Sequence, residues 1–274
     1  MIDLQFKYGA NNVPRLSNSE IEQHSLLILK DYHDGDLLVR PQPMDVDDFV
    51  EQYARLHIDF ADLSHKHFIW GRMVFNNTLV VVWDEDAHQA DERPVEANTI
   101  LIDNSLLEEG NEHIYRSTVM HECGHSVYHD EYFCLDNSES PQNLLAQGRC
   151  PYTRCRERDI LGEMLPPLAG RKRKLYTDHE WLEHHAKYFS AAMLMNKKAM
   201  GKLCHSKATK EFCFDEFPHY ENDALIYLVS KSFNVSPTSA KIRLQQLSLY
   251  LPGADDDECS FYLSGSMKLS PVFH

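Results

Sequence analysis

The sequence predicts an α+β fold: a small antiparallel sheet packed on a pair of helices, followed by a helical region toward the C-terminus. Three observations carry this reading. Residues 111–128 and 181–195 are strongly helical; short β-branched and aromatic runs, within 68–83 and 98–103, precede the first of them; and residues 225–244 read as helix, short turn, helix. At 274 residues the chain can bury a sizeable core and suits one principal domain with appendages.

Residues 1–44 form an N-terminal helical extension, where Ser19 and Glu22 make a capping box for a helix through Leu29. Residues 45–200 form the central α+β domain. It opens on a helix capped by Asp45, with Val46, Phe49, Val50, Tyr53 and Leu56 as its apolar stripe. Phe68–Phe75 and Thr78–Trp83 flank Asn76-Asn77, which reads as a hairpin around a two-residue turn. Asn98–Asp103 is a third strand just ahead of the first long helix. That helix starts at Asn111, a cap, with Glu112 in its first turn and no Pro through Tyr128.

Residues 130–180, with Pro141, Pro151, Pro166 and Pro167, read as an insertion or lid. Cys150 and Cys155, with Cys134 nearby, suggest a second metal clip, but their spacing suits ordinary reduced thiols better. Arg171–Lys174 is the one basic cluster and reads as a solvated loop. Residues 201–251 form the C-terminal helical region. There Ser236 caps a helix with Pro237 at its first position, in a pattern that also fits a helix-turn-helix. The second helix of that unit carries few cations, Lys241 and Arg243, which disfavours DNA binding. Residues 252–274, rich in Gly, Asp, Ser and Pro, read as a flexible tail.

Composition narrows the function classes. A net charge of −15 disfavours non-specific nucleic-acid binding. No apolar run approaches membrane-spanning length, and the N-terminus lacks the charged start and apolar centre of a signal peptide. Seven cysteines, an odd number, fit reduced thiols in a cytoplasm.

The chemistry is concentrated in His121-Glu122-Cys123-Gly124-His125, an H-E-x-x-H sequence. Histidines four apart on a helix share a face, so two imidazoles can bind one metal ion. Ile114, Thr118, His121, His125 and Tyr128 indeed fall on one stripe. Glu122 stands where it can act as general base toward an activated water. Such a site needs a third protein ligand, and Glu183 is the best placed. It shares a helix face with Ala186, Ser190 and Leu194, and small residues there let two helices approach closely. His184 and His185 are rivals for the same role.

Three blocks resemble the ImmA/IrrE metallopeptidases, anti-repressor proteases with a gluzincin-like site. Arg116-Ser-Thr118-Val-Met-His121-Glu-Cys-Gly-His125 is similar to the family's R-x-T-x-x-H-E-x-G-H. Glu183-His-His-Ala186-Lys-Tyr-Phe189-Ser-Ala191-Ala-Met-Leu194-Met195 is similar to E-x-x-A-N-x-F-A-A-x-L-L-M-P. Ser230 through Ser236, with Arg243-Leu244, is a looser match to its closing segment. The resemblance covers most of residues 45–250, and its first two blocks are specific. Lys187, Ser190 and Asn196 depart from the pattern without removing a ligand or the base, and the interval from His125 to Glu183 is long for the family.

The resemblance implies a zincin-like fold and a zinc-dependent endopeptidase with one zinc ion per chain. It implies His121, His125 and Glu183 as ligands and Glu122 as general base. The substrate it implies is a protein cut at few positions, a DNA-binding transcriptional repressor, whose basic surface the acidic chain would attract. The strand 98–103 either offers an open edge to an extended peptide or merely closes the sheet. His129, His184, His185 and Tyr188 are the candidates for stabilising an oxyanion. The alternative reading is a metal-binding regulatory or protein-interaction module without proteolysis.

Overall fold

Ser17 starts the first helix, α1 (Asn18–Asp31). Its hydroxyl accepts a hydrogen bond from the Glu20 amide while the Glu20 carboxylate accepts from the Ser17 amide. This box lies two residues ahead of the expected Ser19–Glu22 pair, because Glu22 faces inward and bonds Arg243 instead. The computed structural model describes residues 2, 4–133, 152–156, 160, 175, 177–216 and 220–250. The expectations placed on Cys134, Cys150, Arg171–Lys174 and residues 252–274 lie outside them.

Asp45 caps α2 (Val46–Asp48) as its sequence suggests, accepting from the Asp48 amide, and the helix widens into a π turn over Phe49–Tyr53. Strands β1 (His57–Ala61), β2 (Ile69–Val74), β3 (Thr78–Asp84), β4 (Gln89–Val95) and β5 (Thr99–Asp103) follow. Helix α3 (Glu112–Phe133) comes next, then the short strand β6 (Cys155–Arg156) and helix α4 (Asp178–Leu194). Four helices complete the described chain: α5 (Lys197–His205), α6 (Lys207–Glu211), α7 (Glu221–Phe233) and α8 (Pro237–Gln246). Among the described residues no helix is long and apolar enough to cross a membrane.

The fold is mixed α+β, and its sheet corrects the expected antiparallel one. The four-stranded sheet runs β1-β5-β2-β6, with β1 parallel to β5 and the other pairings antiparallel. The expected hairpin does not form either. β2 pairs with β5 and β6, whereas β3 pairs with β4 in a separate ribbon, Thr78 opposite Val95 and Asp84 opposite Gln89. A two-residue type I′ turn needs positive φ at both central residues, and neither Asn76 nor Asn77 adopts it. Their side chains tie the connection down instead: Asn76 Nδ2 donates to the Phe133 carbonyl and Asn77 Oδ1 accepts from the Ala97 amide. The burial patterns agree with the split, since every β2 residue is buried while β3 is exposed at intervals.

Strand β5 is likewise not an open edge. It sits between β1 and β2 and is buried throughout. Ile100 and Ile102 enter the main core while Leu101 enters a second cluster with Leu63, Val74, Val80 and Val95 on the opposite face. An uninterrupted apolar run is what a strand covered on both faces requires. The main core lies between the sheet and helices α3 and α4, where Met73, Val119, Met120, Phe189 and Met193 meet. Arg116 closes this layer, donating to the carbonyls of Met44 and Asn234.

At the C-terminal pair, Asn234 takes the left-handed conformation after α7, and Ser236 caps α8 with Pro237 in its first turn. Asn196, at the position where the family resemblance has Pro, has its own purpose. Its side chain accepts from the Ala199 amide to cap α5 and donates to the Leu37 carbonyl.

Candidate metal centre

Helix α3 passes beneath β2, and α4 lies against α3. Gly124 makes the second contact close: a Cβ there would stand 3.1 Å from Ala186 Cα and 3.0 Å from Phe189 Cδ1. The small-residue face expected on α4 therefore does meet α3, and Glu183 stands one helical turn before Ala186 on that face. Gly71 does the same for the sheet. A Cβ on it would fall 2.7 Å from Thr118 Cγ2 and 3.1 Å from Glu122 Oε1. Two glycines thus let a strand and a helix close on the H-E-x-x-H turn from either side.

Three groups converge in the space so formed. His121 Nε2 and His125 Nε2 are 3.1 Å apart, Glu183 Oε2 lies 3.5 Å from His121 Nε2, and Glu183 Oε1 lies 3.5 Å from His125 Nε2. Donors bound at about 2.0–2.2 Å around a tetrahedral ion stand roughly 3.3 Å from one another, so the triangle has the dimensions of a metal-ion site. Both imidazoles are buried. Burial pushes the His121 pKa down to about 3 against the pull of Glu183, which keeps the ring in the neutral form that ligates. Burial alone would raise Glu183, but its bond to His125 and the charges of His121, His125 and Lys187 outweigh it and hold the carboxyl at about 2. Glu183 Oε2 is buried without a hydrogen-bond partner, a cost that a cation between the three groups would offset. His121, His125 and Glu183 can hold a metal ion.

The rivals are occupied elsewhere. His184 Nε2 lies 2.8 Å from Asn18 Oδ1, and His185 Nδ1 lies 3.2 Å from His129 Nε2. His129 in turn places its Nδ1 2.9 Å from His125 Nδ1. For His125 to offer its Nε2 lone pair, its proton must sit on Nδ1, so it donates to His129 Nδ1. At the far end of the row, His185 Nε2 accepts from the Leu16 amide at 3.4 Å. This buried imidazole row orients His125. Of the four oxyanion candidates, Tyr188 donates its hydroxyl to Glu22, and His129, His184 and His185 make the contacts just given.

Glu122 is fully buried beside the triangle, and burial raises its carboxyl to about 7, against the lowering influence of His125 and of a Thr153 hydrogen bond. Thr153 has no signal in the sequence: nothing in its neighbourhood marks a residue 31 positions from Glu122. Cys155 is another unforeseen neighbour, with its sulfur and ligand atoms of His121 and Glu122 all within 4.8 Å of one another. On the far side of His121 a cavity of about 40 Å³ opens, walled by Lys187, Ser190, Leu194, Val235 and Ile242. Comparison with protein-family models and with curated proteins finds no match for this chain.

Proposed function

We propose that the protein is a zinc-dependent endopeptidase of zincin-like fold that makes limited cleavages in a protein substrate. One observation carries the reading: two histidine nitrogens and a carboxylate converge at ligand spacing, with a buried carboxyl on the residue next to the first ligand. The resemblance to the ImmA/IrrE peptidases supplies the substrate class, a DNA-binding transcriptional repressor. The net charge of −15 suits a basic partner.

His121, His125 and Glu183 would hold the ion, which when bound supplies Lewis acidity and lowers the pKa of a water toward about 7. Glu122 takes the proton from the water as its oxygen bonds to the scissile carbonyl carbon. It returns the proton to the nitrogen as the C–N bond breaks, leaving a carboxylic acid and an amine. The row through His129 and His185 keeps His125 Nε2 turned inward, and the Gly124–Ala186 contact sets the reach of Glu183.

The test is elemental analysis of wild type, His121→Ala and Glu183→Ala, combined with cleavage assays on Glu122→Gln. About one zinc per chain is expected in the wild type, lost or greatly weakened in both ligand variants. Glu122→Gln is expected to keep zinc and lose hydrolysis; turnover by the zinc-loaded variant would sink the assignment of the base. Zinc bound by a wild type that cleaves no partner would favour the non-proteolytic regulatory module.

A further inference from the structure

Residues 152–156 run along the edge of β2 that faces the metal centre. Cys155 pairs with Gly71, Tyr152 bridges Val74, and the Thr153 amide donates to the Met73 carbonyl at 3.1 Å. These backbone bonds fix the register without needing any particular side chain at 153. The Thr153 hydroxyl has separate work. It accepts from the Met73 amide at 2.6 Å, which directs its own proton to Glu122 Oε2 at 2.5 Å. The other oxygen, Glu122 Oε1, is buried and has no hydrogen-bond partner. It lies under Gly71, where any Cβ would crowd it. One carboxylate oxygen is therefore anchored and the other carries no hydrogen bond.

We propose that Thr153 is a positioning residue: its hydroxyl, oriented by the Met73 amide, fixes Glu122 Oε2 so that Oε1 is presented to the attacking water. The inference rests on the peptidase reading, in which Glu122 is the base. Valine has the shape of threonine without the hydroxyl, so Thr153→Val keeps the strand while Glu122 Oε2 loses its side-chain donor and the Met73 amide loses the hydroxyl as its acceptor.

The experiment compares wild type, Thr153→Val and Thr153→Ser as zinc-loaded full-length chains, with zinc content and thermal melting measured on each. With an internally quenched peptide library as substrate, Thr153→Val is expected to lower kcat by about 10- to 100-fold, the scale of one charge-assisted hydrogen bond, with KM little changed. Thr153→Ser is expected to restore most of the rate. A Val variant with wild-type kcat overturns the inference. So does a faster one, which would make residues 152–156 a plug over β2 instead of a support. A second readout does not need turnover: calorimetric titration with acetohydroxamate, whose hydroxyl needs an acceptor carboxylate held beside the metal. Its affinity is expected to fall about tenfold in Thr153→Val and recover in Thr153→Ser. Equal affinity in all three proteins overturns the role of Thr153. Absence of hydrolysis in wild type would instead sink the peptidase reading, with the hydroxamate series still deciding the anchor.

Discussion

Arg243 Nη1 donates to Glu22 Oε1 at 2.6 Å, an ion pair between residues 221 positions apart in the chain. The guanidinium is wholly buried, Arg243 Nε donates to the Met195 carbonyl, and Tyr188 donates its hydroxyl to the same Glu22 oxygen. The pair thus joins α1, α4 and α8 behind the metal centre. Removing one partner of a buried pair strands the other charge, so Glu22→Ala is expected to cost about 3–5 kcal/mol in chemical denaturation. A loss below about 1 kcal/mol would show that Arg243 finds another acceptor.

The same pair marks where sequence reading runs out. In sequence, Arg243 is one of two cations on a helix-turn-helix-like second helix; in the fold it faces inward and has no phosphate-accessible surface. What periodicity and spacing do reveal is local: the H-E-x-x-H stripe, the small-residue face behind Glu183, and the caps at Asp45 and Ser236. Strand partners are long-range choices, which is why Phe68–Phe75 looked like half of a hairpin while its true neighbours are β5 and residues 152–156. Those residues carry Thr153, so the anchor of Glu122 was hidden for the same reason. Strands β1 and β4 give weak signals, because His57-Ile-Asp-Phe-Ala61 is only five residues long and Gln89-Ala-Asp-Glu-Arg-Pro-Val95 is mostly polar and contains Pro. Arg93 holds the outlying ribbon by bonding Asp59 and the Phe60 carbonyl of β1.

Gly124 is expected to admit a methyl group only if α4 gives way by a few tenths of an ångström. The methyl of Gly124→Ala would meet the backbone of Ala186, which cannot rotate away, so α4 must shift and carry Glu183 with it. Overpacking of this kind costs about 1–3 kcal/mol. The variant should lower the melting temperature and weaken zinc binding in a chelator competition. Unchanged zinc affinity would mean that Glu183 reaches the ion without help from this contact.

His129 supports His125 through their Nδ1 atoms and shows no hydrogen bond to His121 or Glu183 among the described residues. Replacing it with Phe fills the space but removes the acceptor that fixes the His125 tautomer. Loss of such a supporting bond typically weakens metal affinity by about 10–100-fold. His129→Phe is therefore expected to bind zinc more weakly while keeping one site per chain. Wild-type affinity would show that burial alone orients His125.

Acid is expected to destabilise the metal-free protein strongly. Burial holds His121 at about 3; burial and then the His184 charge bring His185 to about 3; and burial sets His129 well below its ordinary value. Unfolded imidazoles titrate near 6.5, so between about 3 and 6.5 the unfolded chain binds protons that the folded chain refuses. The stability from these residues is present above pH 6.5 and is lost as pH falls through that window. Glu183 adds a loss in the same direction, from 4.5 down to about 2. Glu122 works the other way. Burial raises it to about 7, so the folded chain keeps a proton that the unfolded chain has released between 4.5 and 7, and this group favours the acid side. Three imidazoles against one carboxyl leave a net of up to about two protons near pH 5, or roughly 2.7 kcal/mol per pH unit at the steepest. Urea midpoints of chelator-treated protein between pH 7.5 and 5 should fall with acidification. Zinc should move the fall to lower pH, because the ion competes with protons for the same nitrogens. A midpoint that stays flat would show that these imidazoles gain solvent or a counter-charge without the metal.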